Sequence, residues 1–153
     1  MPTPYPDALK DLEALYALLP SIDCQGHCTD YCGPIALSYV ERKRLQRTTW
    51  KKLTDLTTPV CPLLKAGRCS VHPIRPLVCR AWGTVASFAC PWGCLPERYL
   101  SASEWEAFHH AAEEISQAAY PGKGTCSMHT TEVILQIQDA AAAKLCADLW
   151  GAG

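Results

Sequence analysis

The sequence lacks the features that would direct a chain into or across a membrane. It contains no stretch of eighteen apolar residues, so no segment is predicted to span a bilayer. Residues 1–10 hold three prolines and an early Asp7, and they have neither the basic start nor the apolar core of a signal peptide. We therefore expect a cytoplasmic protein in a compartment that keeps thiols reduced.

Net charge is also nearly absent. Fourteen Lys and Arg residues against fifteen Asp and Glu residues leave a formal charge of −1. No overall field would attract nucleic acid or a membrane surface. The 153 residues suffice for one domain with a modest core, spanning 1–153. Neither a glycine-rich phosphate loop nor a Ser-His-Asp pattern appears, so common nucleotide and hydrolase sites are not indicated.

Cysteine is the residue that the chain has in excess. Eight of its ten cysteines lie between Cys24 and Cys94. A disulfide framework would explain the even number, but a chain of this size in a reducing compartment does not need one. Metal ligation is therefore favoured for the eight. Cys126 and Cys146 lie apart from them, in or beside a helical pattern, and are interpreted as buried small side chains or spare thiols.

Apolar residues at helical spacing frame the cysteine region. They predict helices at about 7–19, 101–120 and 129–149. Ser38 with Glu41, and Ser101 with Glu104, have the spacing of capping boxes and predict two helix starts. The helix that begins after Ser38 is expected to run to about residue 46.

The segment 61–93 has four prolines, three glycines and no sustained period, apart from a short extended stretch at 69–71. Such a long irregular segment needs a stabiliser other than a core, and metal bonds can provide one. The prediction is thus a mainly α fold, in which a small helical domain clasps an irregular cysteine-rich metal-binding segment at 24–94.

The first three cysteines are expected to lie on a wrapped loop. On a helix, Cys24, Cys28 and Cys32 would span about 12 Å. One ion with bonds of about 2.3 Å could not collect them at that spacing. Gly26 and Gly33 allow the left-handed backbone angles that a wrapped loop needs.

The donor type narrows the possible metals. Eight thiolates can form two sites of four cysteines, or one larger site with spare ligands. Thiolates suit zinc or an iron–sulfur cluster and do not suit magnesium or calcium. The candidate ligands are Cys24, Cys28, Cys32, Cys61, Cys69, Cys79, Cys90 and Cys94.

A set of motifs occurs in a recognisable order. They are Cys24-Gln-Gly-His-Cys28-Thr-Asp-Tyr-Cys32-Gly33-Pro34-Ile35, then Glu41, then Cys61-Pro62-Leu63-Leu64, Gly67-Arg68-Cys69-Ser70-Val71-His72 and Arg75-Pro76-Leu77-Val78-Cys79-Arg80. Over about residues 24–100 the chain resembles the CxxCxxCC-type cysteine-cluster family, whose members are labelled zinc- or iron-chelating domains or Fe–S oxidoreductases. The resemblance implies a metal or cluster site without implying one established reaction. This chain departs from the pattern at Tyr31, where the family often has a second cysteine beside Cys32, and the Cys90–Cys94 pair could supply the replacement.

The ligand spacing favours an iron–sulfur cluster over zinc. Gaps of 28, 7, 9 and 10 residues separate the cysteines from Cys32 to Cys90. A cluster tolerates irregular gaps because each cysteine binds a different iron, whereas zinc ribbons use paired short knuckles. Arg75 and Arg80 would offset the negative charge of thiolates and sulfides. Nearby aromatic residues would shield the cluster from water, although ordinary core packing is the favoured explanation of them; they are Tyr31, Trp82, Phe88 and Trp92.

Three functions stay open at this point. An iron–sulfur protein, holding a [4Fe–4S] cluster, could transfer electrons or act as an enzyme with an open iron, with Glu41, Arg75 and Arg80 as candidate catalytic groups. A zinc-binding structural or interaction module is the second, and a metal-sequestering or delivery protein is the third. His27 and His72 fall inside the cysteine segments and are predicted to hydrogen-bond near the sulfurs rather than to ligate metal.

A basic stretch at 42–52 holds six of the fourteen cations. They are Arg42, Lys43, Arg44, Arg47, Lys51 and Lys52. A solvated helix face is the simplest interpretation, and the functional one is a docking surface for a redox or other protein partner, or for RNA. The indication of nucleic-acid binding is weak, because Trp50 is the one aromatic residue among these cations.

Overall fold

The computed structural model describes residues 1–27, 29, 32, 35, 37–50 and 60–123. Its main elements are α1 (Tyr5–Ala17), α2 (Tyr39–Thr49), β1 (Leu64–Lys65), β2 (Arg68–Cys69), α3 (Leu77–Ala81) and α4 (Ala102–Ala119). The mainly α prediction is confirmed for this part of the chain, which holds four α-helices and one two-stranded hairpin. The predicted helix at 129–149, together with Cys28, Cys126 and Cys146, lies outside the described residues.

The first helix begins two residues earlier than the apolar spacing predicts. Pro4 precedes it and Pro6 lies in its first turn, where a missing N–H costs nothing. Its buried face consists of Ala8, Leu12 and Tyr16 at intervals of four residues. This face packs mainly on α4, so the two ends of the described chain are in contact.

Both predicted capping boxes are present. In α2 the hydroxyl of Ser38 accepts from the amide of Glu41, and the Glu41 carboxylate accepts from the amide of Ser38. Ser101 and Glu104 make the same pair of bonds at the start of α4. The second helix runs three residues beyond the predicted end and stops at Trp50, whose φ is +58°.

The cysteine-rich segment contains more regular structure than its sequence suggests. β1 and β2 pair antiparallel, with Leu64 opposite Cys69 and Lys65 opposite Arg68. Ala66 and Gly67 both have positive φ, as the type I′ turn of a two-residue hairpin requires. The extended stretch predicted at 69–71 overlaps β2 only at Cys69, and neither the hairpin nor the five-residue α3 was among the predicted elements.

Two groups of buried side chains form the core. The larger joins α1, α2, α3 and α4, and Leu12, Val40 and Ala81 in it are completely buried. The smaller consists of Leu37, Leu45, Leu63 and Val71. Cys61 and Cys69 pack against this smaller group, so the hairpin is anchored to α2 beside its cysteines.

None of the helices described is both long and apolar enough to cross a membrane.

Candidate metal centre

The structure brings four of the predicted ligands together, and we call them the inner group: Cys32, Cys61, Cys69 and Cys79. Burial raises the pKa of the Cys79 thiol well above its ordinary value, and the charges of Cys61, Cys32 and Cys69 raise it further. The Glu41 carboxylate adds to the same effect. Three thiols and a carboxylate therefore lie within electrostatic reach of Cys79.

Backbone contacts assemble the inner group from separate parts of the chain. The amide of Cys61 donates to the carbonyl of Cys32 at 3.0 Å, which fixes the first cysteine loop beside the start of the hairpin segment. The amide of Leu64 donates to the carbonyl of Cys61 at 3.2 Å and leads into β1. Strand pairing then sets Cys69 opposite Leu64.

Glu41 fixes the helix that carries Cys79. Its Oε1 accepts from the amide of Leu77, the first residue of α3, at 2.7 Å and from the hydroxyl of Tyr16 at 2.5 Å. Its Oε2 accepts from the amide of Ser38 at 2.8 Å. Both oxygens of this buried carboxylate are thus engaged, and Glu41 connects α1, α2 and α3. The structure therefore places this candidate catalytic residue in a positioning role.

The two candidate arginines hold the turn that precedes α3. The Nε of Arg80 donates to the carbonyl of Arg75 at 2.7 Å, and its NH2 donates to the carbonyl of Pro73 at 2.8 Å. Its guanidinium lies 4.4 Å from the centre of the Tyr16 ring. Arg75 donates to the carbonyl of His72 at 3.0 Å. The arginines of the Arg-Pro-x-x-Cys-Arg motif thus hydrogen-bond to the backbone that precedes Cys79, a contact that the sequence does not predict.

A second set of cysteines, the outer group, lies around a separate pocket and comprises Cys24, Cys90 and Cys94. Burial alone would raise the pKa of Cys90, but bonds from the amides of Cys94, Trp92 and Gly93 to its sulfur outweigh burial and lower that pKa. Gly93 permits the turn with φ +80°, and its amide donates to the Cys90 carbonyl at 3.2 Å. The segment 90–94 is therefore a turn wrapped around a sulfur.

The first cysteine loop forms the other side of the pocket. The amide of Gly26 donates to the Cys24 sulfur at 3.4 Å, and Gly26 has φ +73°, as the predicted wrapped loop requires. The amide of Gln25 donates to the Cys94 sulfur and by itself lowers the pKa of Cys94. Burial and the neighbouring sulfurs of Cys90 and Cys24 outweigh it, so the pKa of Cys94 is raised.

Short strand-like contacts keep the two halves of this pocket together. Ile22 and Pro96 form an antiparallel bridge, and the amide of Glu97 donates to the carbonyl of Ser21 at 2.9 Å. Gly83, with φ +84°, lies so close that an added Cβ would be 2.7 Å from Cδ1 of Ile22 and 3.5 Å from Cβ of Cys90. The absence of a side chain at Gly83 allows these segments to meet.

The sequence allows two sites but does not assign the cysteines to them. The spacing puts Cys24, Cys28 and Cys32 on one loop, yet Cys24 faces the outer pocket while Cys32 belongs to the inner group. Cys24, Cys69, Cys79, Cys90 and Cys94 are free thiols. Among the residues that the structure describes, no group of three or more Cys, His, Asp and Glu side chains has the geometry to hold a metal ion as it stands.

Comparison with known proteins gives no match. No family model, no curated protein and no solved structure matches this chain. The resemblance to the CxxCxxCC-type family therefore stays a prediction that depends on the motifs alone.

Three cations in the described part of the basic stretch make intramolecular contacts. Arg44 forms an ion pair with Glu13 of α1. The guanidinium of Arg47 lies 4.1 Å from the centre of the Tyr5 ring, and the ammonium of Lys43 lies 5.3 Å from that of Tyr39. These contacts explain the cations as helix-packing residues. Docking of a partner at 42–52 stays a prediction.

The two cysteine groups should differ in reactivity. In the reduced, metal-free protein, iodoacetamide should modify Cys90 before Cys79 at neutral pH, because the thiolate is the nucleophile and the two pKa values shift in opposite directions. The rate at Cys90 should decline only below its lowered pKa. Peptide mass spectrometry across a pH series measures both sites. Modification of Cys79 first, or a Cys90 profile at or above that of free cysteine, would contradict the assigned environments.

Proposed function

We propose that this is a metal–thiolate protein whose inner group holds an iron–sulfur cluster of the [4Fe–4S] type for electron transfer. The observation that carries the proposal is the convergence of Cys32, Cys61 and Cys69 on Cys79. Four sulfur donors fit a soft metal ion. A bound cluster would supply one-electron redox chemistry at this point of the fold.

The electrostatics of the inner group favour a bound cation. Ionising all four thiols beside the Glu41 carboxylate would place several negative charges in a partly buried site. Such charge is costly unless a positive partner offsets it. Arg80 does not serve as that partner, because its donors point to the carbonyls of Pro73 and Arg75. Bound metal ions would supply the positive charge that offsets the ionised thiols.

The wide separation of the four ligands along the chain favours a cluster over a single zinc ion. The cysteines come from four separate stretches: the first loop, the start of the hairpin segment, β2 and α3. A cluster spreads its ligands, because each cysteine reaches a different iron. A single structural zinc ion usually collects ligands from short paired turns. No two members of the inner group are close enough in sequence to form such a turn.

Electron transfer is favoured over catalysis for this site because its polar neighbours are already occupied. Glu41 has both oxygens engaged with Tyr16, Ser38 and Leu77. The bonds of Arg75 and Arg80 go to nearby backbone carbonyls. We therefore assign these side chains to positioning Cys79 rather than to substrate.

Anaerobic purification tests the proposal. The protein should be brown, with iron and acid-labile sulfide in equal amounts, and Cys79→Ser should lose most of both. Cys126→Ser, outside the predicted ligand set, is the matched control and should keep them. A colourless preparation with stoichiometric zinc would instead support the structural zinc module. A protein without firmly bound metal, or with graded and reversible loading, would contradict the cluster and favour the delivery role.

A further inference from the structure

The outer pocket is built from two short turns of the kind that present ligands to a single ion. One turn is Cys24-Gln25-Gly26-His27, in which the Gly26 amide bonds to the Cys24 sulfur at 3.4 Å. The spacing of its first and last residues is that of a two-ligand knuckle. His27 lines the pocket together with Cys24, and its ring centre lies 6.4 Å from that of Trp92.

The second turn is Cys90 to Cys94. The amide of Gly93 donates to the carbonyl of Cys90 at 3.2 Å, and the positive φ of Gly93 closes the turn. Both cysteines of this turn line the pocket together with Cys24 and His27 of the first turn.

We propose that the outer pocket is a second metal site, independent of the inner group, in which Cys24, Cys90, Cys94 and the imidazole of His27 bind one zinc-type ion. The proposal goes beyond the proposed function and does not depend on it. The site departs from the expectation that His27 only hydrogen-bonds near the sulfurs, and it leaves Cys28 outside the ligand set.

Size and donor type support a single ion. The space between the turns is about 20 Å³, which is room for one ion or one water molecule. Three sulfurs and one nitrogen are a common zinc ligand set. The four side chains do not stand at ligand geometry, so binding requires them to turn into the pocket about their side-chain bonds. Their backbones are already held by the bridge between Ile22 and Pro96.

One difference in exposure separates this site from the inner one. Cys24 is exposed, whereas all four cysteines of the inner group are partly buried, as Cys90 and Cys94 are. Trp92 at the rim of the outer pocket has 42% of its surface exposed. An ion held here can exchange with solvent chelators without unfolding the helical core. The outer ion should therefore be lost first when a chelator is added.

The test is a titration of the full-length, reduced, metal-free protein with Zn²⁺ alone, followed by iodoacetamide and peptide mass spectrometry. Zinc should protect Cys24, Cys90 and Cys94 together, at one shared stoichiometry. Diethyl pyrocarbonate modification of His27 should fall in parallel. Protection is read for each residue in the unaltered protein, so the outer result is separate from any protection of the inner group.

Two matched variants assign the fourth ligand. His27→Ala should weaken zinc binding at the outer cysteines by at least about tenfold. His72→Ala should bind as the unaltered protein does, because that exposed histidine contacts Arg75 and does not line the pocket. The proposal is wrong if Cys28 is protected with the other three while His27→Ala binds normally. It is also wrong if zinc leaves the three thiols reactive, or if they form a disulfide and take up no zinc.

Discussion

Glu41→Ala is expected to lower the free energy of unfolding by about 3–5 kcal/mol, a large part of the stability of a small domain. The substitution removes the acceptor for the Tyr16 hydroxyl and for the amides of Ser38 and Leu77. Each of these donors is in a buried contact, so each is left without a partner. Urea denaturation measures the change. Because Leu77 begins the helix that carries Cys79, the inner group should lose its geometry as well.

The second capping box supplies the control. Glu104→Ala breaks the same Ser-x-x-Glu arrangement at the start of α4, where Glu104 is only partly buried. Its cost should be smaller than that of Glu41→Ala, because the Ser101 amide that loses its acceptor can be hydrated by solvent. Tyr16→Phe removes one of the three donors to Glu41 and should cost less than Glu41→Ala. Equal costs for Glu41→Ala and Glu104→Ala would show that Glu41 acts only as a cap.

Gly83→Ala should destabilise the protein by about 1.5–3.5 kcal/mol. Its φ of +84° costs an L-residue about 1–2 kcal/mol. The new Cβ would also lie 2.7 Å from Cδ1 of Ile22, and turning the flexible end of this side chain out of its preferred rotamer adds about 0.5–1.5 kcal/mol. Relief of the clash would push Ile22 away from Gly83 and disturb the outer pocket. Urea denaturation gives the cost, and the alkylation rate of Cys90 reports the local change.

Two comparisons separate strain from overpacking. Gly122→Ala has a similar φ of +75° and no atom within 4 Å of the added Cβ, so it should show the backbone cost alone. In an Ile22→Val background the clashing Cδ1 is absent, and Gly83→Ala should cost less than in the native sequence. A cost at Gly83 no greater than that at Gly122, unchanged by Ile22→Val, would mean that the close approach is unimportant.

The sequence predicts local features of this fold well. Both capping boxes depend on residues three positions apart, and the apolar face of α1 repeats every four residues. What the carboxylate of Glu41 contacts beyond its own helix could not be predicted. Its partners Tyr16 and Leu77 lie 25 and 36 positions away, and nothing near Glu41 in sequence signals them. The buried position of Glu41 follows from tertiary packing.

The sequence predicts which residues are the candidate ligands, but it does not predict which of these cysteines lie together. Thiolate donors pointed to soft metals, and the seven described cysteines of the predicted set fall into two groups. Spacing could not assign them, because Cys24 and Cys32 are close in sequence yet face different partners. The signal for the outer group was present in the glycines, since Gly26 and Gly93 sit where each turn needs positive φ. Gly83 could be understood only once the packing of Ile22 and Cys90 was known.

The contact between α1 and α4 has a consequence for how the protein is made. The buried face of α1 is complete once Ala17 has been added, but α4 ends only at Ala119. At about 5–20 residues per second, the ribosome needs on the order of 5–20 s to supply the missing partner. For that interval Leu12 and its neighbours are exposed on a nascent chain, a natural target for chaperones. The cysteines emerge in the same interval, so metal loading can begin before the helices close around them.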